Sequence, residues 1–166
     1  MSLELRNATP GDAEAIAAIH DESVLAGNAT LRTEPRPVSE VEEIVRRPDP
    51  FLVAAEGGQV VGWASIGPYE ESNPYYKGVG EVAVYVSAAA RGRGAGAALL
   101  EGAAEAARQA GQFKLVAKVF TTNEASLRLF ERLGYTAVGT HLRHGRLRGE
   151  WKDVVVLEKL LGEAEV

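Results

Sequence analysis

Residues Glu81–Ala97 read E-V-A-V-Y-V-S-A-A-A-R-G-R-G-A-G-A, a β-rich run that passes through a basic, glycine-studded turn into an alanine-rich stretch. Glu81–Val86 has strand composition, and period-two alternation places Glu81, Ala83 and Tyr85 on one face and Val82, Val84 and Val86 on the other. A helix is expected over Gly94–Ala110, closed by Gly111 as its C-cap. The turn between them is suited to an anion. Gly92, Gly94 and Gly96 have no Cβ, so the backbone can come close to a ligand and take positive φ where needed. The free N–H groups and positive dipole end of the next helix point into the turn. Arg91 and Arg93 add cations with bidentate reach to phosphate oxygens.

Two standard phosphate motifs fit this turn poorly. Gly92, Gly94 and Ala97 formally match the dinucleotide fingerprint, but the following strand, Lys114–Phe120, offers lysines where an acidic ribose ligand is required. No Gly-Lys-Ser/Thr follows the glycines, which excludes a P-loop. A purely structural strand-to-helix turn with two solvated arginines remains open on these residues alone.

Outward from the turn, the chain divides without repeats or low-complexity linkers. Leu3–Asn7 suits a short strand, and Thr9-Pro10-Gly11-Asp12 a capped helix start with Ile16, Ile19 and His20 on one face. Ser39 and Glu42 have capping-box spacing ahead of Val41, Ile44 and Val45. Phe51–Glu56, Gly57-Gly58 and Val60–Ile66 read as a hairpin with a two-residue turn, and Pro68–Gly80 as an exposed loop. After Lys114–Phe120, Asn123 caps a helix that stops at Gly134. Tyr135–Arg143 and Trp151–Lys159 close the chain as strands joined by a Gly145–Gly149 turn. The order β-α-α-β-β-β-α-β-α-β-β predicts an α+β fold, a mixed, mostly antiparallel sheet flanked by helices.

Length and composition set the outer limits. A chain of 166 residues that is 46% hydrophobic fits one domain, taken here as 1–166. The opening M-S-L-E-L-R-N is too polar for a signal peptide, and the expected location is the cytoplasm. With no cysteine there is no disulfide, thiolate nucleophile or Cys-type zinc site, and three scattered histidines argue against any metal. A net charge of −5 argues against general nucleic-acid binding, although Arg143, Arg146 and Arg148 cluster. No G-x-S-x-G supports a serine hydrolase.

The turn R-G-R-G-A-G and the later T-N-E-A-S-L-R-L-F-E-R-L-G-Y together resemble the GCN5-related N-acetyltransferase superfamily. Its coenzyme A motif is matched by Arg91, Gly94 and Gly96. A second element of the family is matched by Asn123, Ser126, Phe130, Gly134 and Tyr135. The blocks Asn28–Pro35, Gly62–Pro68, Glu81–Ser87 and Trp151–Val156 resemble the phosphinothricin or methionine sulfoximine acetyltransferase branch, so the likeness covers nearly the whole chain.

The resemblance implies transfer of an acetyl group from acetyl-CoA directly to the α-amine of a small amino acid or analogue, in a homodimer. Strand Glu81–Val86 would pair with the pantetheine arm through Val84, Tyr85 and Val86, with a backbone N–H near Val84 polarising the thioester carbonyl. The pyrophosphate would rest on Arg91, Gly92, Arg93, Gly94, Ala95 and Gly96, and Asn123, Ser126 and Phe130 would also contact the cofactor. Glu81 is the implied general base, directly or through water. Its bland alternative is a solvated strand-end glutamate, and that of Asn123 is a helix cap.

Phe130 departs from the tyrosine that protonates the leaving thiolate in many superfamily members, and a free thiol of pKa ~8.5 leaves well enough for water to serve. The implied acceptor-side residues are Arg32, Lys77 and His141. The branch usually has arginine at Lys77, threonine at Val79, phenylalanine at Leu31, and lysine and arginine at Leu147 and Glu150, so the departures gather on that side. Trp63 and Trp151 read as core or interface aromatics, and Val24–Pro37 and Trp151–Leu157 as candidate dimer contacts. Two other readings stand beside this one: an acetyltransferase for a protein or peptide amine, and an acyl-CoA-binding module without catalysis.

Overall fold

The structure is a computed structural model and describes residues 2–162; residue 1 and residues 163–166 of the expected domain lie outside the described residues. Seven strands form one sheet in the order β1-β2-β3-β4-β5-β7-β6, with β1 Leu3–Asn7, β2 Phe51–Glu56, β3 Gln59–Pro68, β4 Val79–Val86, β5 Lys114–Phe120, β6 Thr136–Leu147 and β7 Glu150–Leu160. Every neighbouring pair is antiparallel except β4 and β5. Four α-helices complete the expected order: α1 Ala13–Ala26, α2 Val38–Val45, α3 Ala95–Gln109 and α4 Glu124–Arg132.

The continuous apolar run Phe51–Ala55 has no polar face because both sides of β2 are covered. Leu52 and Ala54 point into the core under α3 and α4, together with the fully buried Leu99, Leu115 and Leu157. Phe51 and Val53 point the other way, into a second core with Ile16, Ile19, Val41 and Trp63 from α1, α2 and β3. Truncating one of these leucines to alanine removes about 3 kcal/mol, through lost transfer energy and the cavity left behind.

Several element boundaries differ from the expectation. The first helix enters through a 3₁₀ turn, Pro10–Asp12, in which the Thr9 N–H donates to Asp12 Oδ2 at 2.8 Å. The same carboxylate takes a bidentate pair from Arg6 at 2.8 and 2.9 Å, which ties β1 to the helix start. Ser39 does not cap α2. That helix starts at Val38 with extended Pro37 before it, and the Pro37 carbonyl accepts from Glu40 and Val41. Proline fixes φ at the position before the first turn, so the entry lies two residues earlier than the capping box implied. Pro68–Gly80 is shorter as a loop than expected, since β3 runs to Pro68 and β4 starts at Val79; between them Asn73 caps a 3₁₀ turn at Pro74–Tyr76.

The expected Gly145–Gly149 turn is instead strand as far as Leu147, and the reversal is made by Arg148 and Gly149 at φ 50° and 83°. Both central residues of such a two-residue hairpin need positive φ. The earlier irregularity, between His141 and Gly145, is a bulge in which Arg143 takes φ 50° and its N–H donates to Asp153 at 2.7 Å.

Candidate active site

The parallel junction of β4 and β5 is short. Val79, Gly80 and Glu81 pair with Lys114, Leu115 and Val116, and beyond Glu81 and Val116 the strands part. β4 continues on β3 as far as Val86, and β5 continues on β7 as far as Phe120. Each strand therefore keeps one unpaired edge facing a wedge-shaped notch. Ser87 donates its N–H to Val61 of β3. Alternation then turns Tyr85 and Ala83 towards β3 as well, and the N–H and C=O groups of Val84 and Val86 into the notch. The Val86 carbonyl accepts from Arg91 Nε at 3.4 Å, as that direction requires.

Two cavities open into this notch and share Ala29, Val84, Tyr85, Asn123 and Ser126. The first, 310 Å³, is lined by Glu81, Val82, Lys118, Phe120 and Phe130 among others. The second, 590 Å³, runs past Val86 to Arg91, Gly92, Gly94, Ala95 and Gly96. The turn has the predicted character: Gly92 and Gly94 hold φ of 77° and 86°, and Gly94 caps α3 from the left-handed region. Ala98 is the first residue of α3 whose N–H reaches back to the Gly94 carbonyl, at 3.0 Å. The N–H groups of Ala95, Gly96 and Ala97 have no helical acceptor and face the second cavity. Arg91 lines that cavity, whereas Arg93 is held by Glu56 at 3.0 Å, along the flank of the turn.

Residues 15–135 match the acetyltransferase (GNAT) family. The chain belongs to that family.

This GNAT chain is 36% identical to the phosphinothricin N-acetyltransferase of Streptomyces viridochromogenes over 155 residues, 92% of this chain and 84% of that protein. It is 33% identical to the L-methionine sulfoximine/L-methionine sulfone acetyltransferase of Pseudomonas paraeruginosa over 165 residues, 95% of this chain and 94% of that one. Its fold superposes with a TM-score of 0.95 at 29% identity on an acetyltransferase from Salmonella typhimurium solved with its cofactor acetyl-CoA, covering 100% of this chain and 98% of that one.

Asn123 caps α4 in this GNAT chain, its Oδ1 accepting from the Ser126 N–H at 3.3 Å, and it lines both cavities. Phe130 is buried at the floor of the first cavity, edge-on to Tyr135 at 4.9 Å. The Tyr135 hydroxyl is buried without a partner, and burial pushes the phenol well above its ordinary range. The Tyr85 ring packs on Trp63 at 4.7 Å and His20 at 5.2 Å, on the α1 side of the notch, and burial raises its phenol too. His20 is buried, as its helix face implied. Trp63 is a core residue and donates to the Ile16 carbonyl at 3.2 Å, while Trp151 is 54% exposed with Arg146 over its ring.

Glu81 stands at the head of the notch with its Oε1 3.4 Å from Lys118 Nζ. Sequence reasoning did not single out Lys118; its signal was one charge inside the apolar run L-V-A-K-V-F, the only exposed position of β5. It also missed Arg132, at the end of α4 on the wall of the second cavity.

The three acceptor-side candidates are not gathered around Glu81. Arg32 bonds Glu40 at 3.2 Å and the Glu34 carbonyl at 3.1 Å. Lys77 lines a separate surface groove with Glu70, Glu71 and Phe113. His141 stacks on His144 at 4.3 Å on the exposed β6. Among the described residues, no group of three His, Asp or Glu side chains is placed to hold a metal ion.

Proposed function

We propose that this protein transfers the acetyl group of acetyl-CoA to the α-amine of a small amino acid or amino acid analogue. The observation that carries the reading is the parting of β4 and β5 after Glu81 and Val116, which leaves Val84 and Val86 without a strand partner on that edge, in a groove that ends at the Gly92–Gly96 turn. The pantetheine arm adds to β4 as a strand would, its amides pairing with that free edge and with the Asn123 side chain. The pyrophosphate sits on the N–H groups that open α3, with Arg91 beside it and Arg132 within reach of the nucleotide end.

In the first cavity the amine nitrogen attacks the thioester carbonyl carbon. The C–N bond forms, the carbonyl oxygen takes negative charge, and the Val84 N–H is the donor that stabilises it; such a donor contributes about 3 kcal/mol. The acceptor nitrogen gives its first proton to Glu81 before the attack and its second to water as the intermediate forms. Collapse of the tetrahedral intermediate breaks the C–S bond, and the thiolate leaves into solvent, where water protonates it, because Phe130 has no proton to give. The names borne by the Streptomyces and Pseudomonas relatives support an amino acid analogue as acceptor.

The reading takes residues 1–166 as one catalytic domain working in the cytoplasm as a homodimer. The exposed Leu25, Val138, Leu142, Trp151 and Leu160 support an interface on the β6–β7 side. The test is free-thiol release from acetyl-CoA across phosphinothricin, methionine sulfoximine, methionine sulfone, the proteinogenic amino acids, polyamines and short peptides. Turnover on amino acids or their analogues is expected. Turnover confined to peptides would move the activity to protein amines, and acetyl-CoA binding with no turnover on any acceptor would leave a binding module.

A further inference from the structure

Among the described residues, Lys118 is the one cation lining the first cavity, and nothing in the transfer step described above uses it. It lies on β5 two residues past Val116, the register partner of Glu81, so Lys118 and Glu81 rise from the same face of the sheet on the two strands that part there. Their charged ends are 3.4 Å apart, both partly open to solvent, on the wall of the first cavity. The other cations considered for the acceptor are committed or remote: Arg32 to Glu40 and Glu34, and Lys77 in its own groove.

We propose that Lys118 binds the carboxylate of the acceptor amino acid and thereby selects α-amino acids over amines that lack the acid. The inference rests on the function proposed above. The chemistry follows from the shape of the pair. An α-amino acid is a zwitterion with its ammonium and carboxylate on one carbon, and a carboxylate and an ammonium side by side are its complement. Seated on the Glu81–Lys118 pair in reversed orientation, its ammonium meets Glu81 and its carboxylate meets Lys118. The protein pair is exchanged for two such contacts, and no charge is left unpaired as the acceptor enters. The same seating puts the nitrogen that must lose a proton against the base. The Tyr69 ring lies on the outer side of the pair, its centre 5.9 Å from Lys118 Nζ and edge-on to Tyr76.

The test compares an accepted amino acid with its own carboxamide in the wild type, Lys118→Met and Lys118→Arg, each checked for acetyl-CoA binding by calorimetry. For Lys118→Met, kcat/KM on the acid falls by about ten- to a hundredfold, mostly through KM, as expected for a lost charged hydrogen bond. Its loss on the amide is at least about tenfold smaller, and Lys118→Arg recovers most of the selectivity for the acid. Equal losses on acid and amide would overturn the proposal, since Lys118 would then act only through Glu81 or through folding. If the wild type itself accepts no α-amino acid, the proposed function fails first and this inference with it, and that outcome is visible before any variant is made.

Discussion

The Lys118 ammonium lies 3.4 Å from the Glu81 carboxylate, two positions beyond the last residue pair that joins β4 to β5. One short parallel ladder thus does two things. It ends early enough to leave β4 an open edge for a ligand, and it brings an acid and a base together at the head of that opening. The cofactor groove and the acceptor pocket are consequences of a single break in the sheet.

The Gly92–Gly96 turn carries the phosphate end of the groove, and Gly94 is its most demanding position. At φ 86° an L-residue costs roughly 1–2 kcal/mol, although a Cβ there would meet no atom within 4 Å. Gly94→Ala is therefore expected to weaken acetyl-CoA binding by about tenfold, by shifting the turn and the first N–H groups of α3. Calorimetric titration of acetyl-CoA into the variant checks this. An unchanged affinity would show that the turn does not hold the phosphates.

Asp12 joins β1 to α1, and the account predicts an acid-sensitive contribution there. The Arg6 guanidinium, with the Thr9 N–H, holds its carboxyl at about 2, below the usual aspartate value. A lowered folded-state pKa means stability that is complete above about 3.8 and lost as the pH falls through about 2. Asp12→Asn should cost roughly 1–2 kcal/mol at neutral pH, discounted because Arg6 is partly solvated. The difference from wild type, read by urea unfolding, should shrink as the pH approaches 2. A gap that persists undiminished there would contradict the ion-pair origin.

Much of this arrangement was legible in the sequence. The strand-turn-helix of Glu81–Gln109, the hairpin that turns at Gly57-Gly58 and the cap at Asn123 all follow from local composition and spacing. The notch itself was not, because the point where β4 and β5 part is a property of two strands far apart in the chain. The pairing of Lys118 with Glu81 was hidden for the same reason, since only the register Glu81–Val116 brings the two together. The β6–β7 reversal was misplaced because two arginines, Arg143 and Arg148, take positive φ where glycine would have marked the bulge and the turn. Arg148 is held there by donating to the Val24 and Leu25 carbonyls at the end of α1, at 2.8 and 3.3 Å, a long-range contact with no local signature.

His20 gives a second pH signature, nearer neutrality. It is buried between Trp63 and Tyr85 with its Nδ1 unpartnered, and burial first, then Arg36, lowers its pKa from 6.5; Asp21 and Glu40 oppose this and Arg32 adds to it. The unfolded chain then binds the extra proton more readily, so stability is complete above about 6.5 and declines as the pH falls below that value. Thermal unfolding at pH 7.5 and 5.5 should show a larger loss for wild type than for His20→Gln, which cannot titrate. Equal losses would mean that His20 does not carry this dependence.

The account stands most directly on Glu81. The deciding measurement is kcat/KM for an accepted amino acid, with acetyl-CoA affinity measured in parallel, for wild type and Glu81→Gln. The account predicts a fall in kcat/KM of at least about a hundredfold, as expected when a general base is removed, with acetyl-CoA bound to within about twofold of wild type. Undiminished turnover in Glu81→Gln would contradict it, and would require the proton to leave the amine by another route.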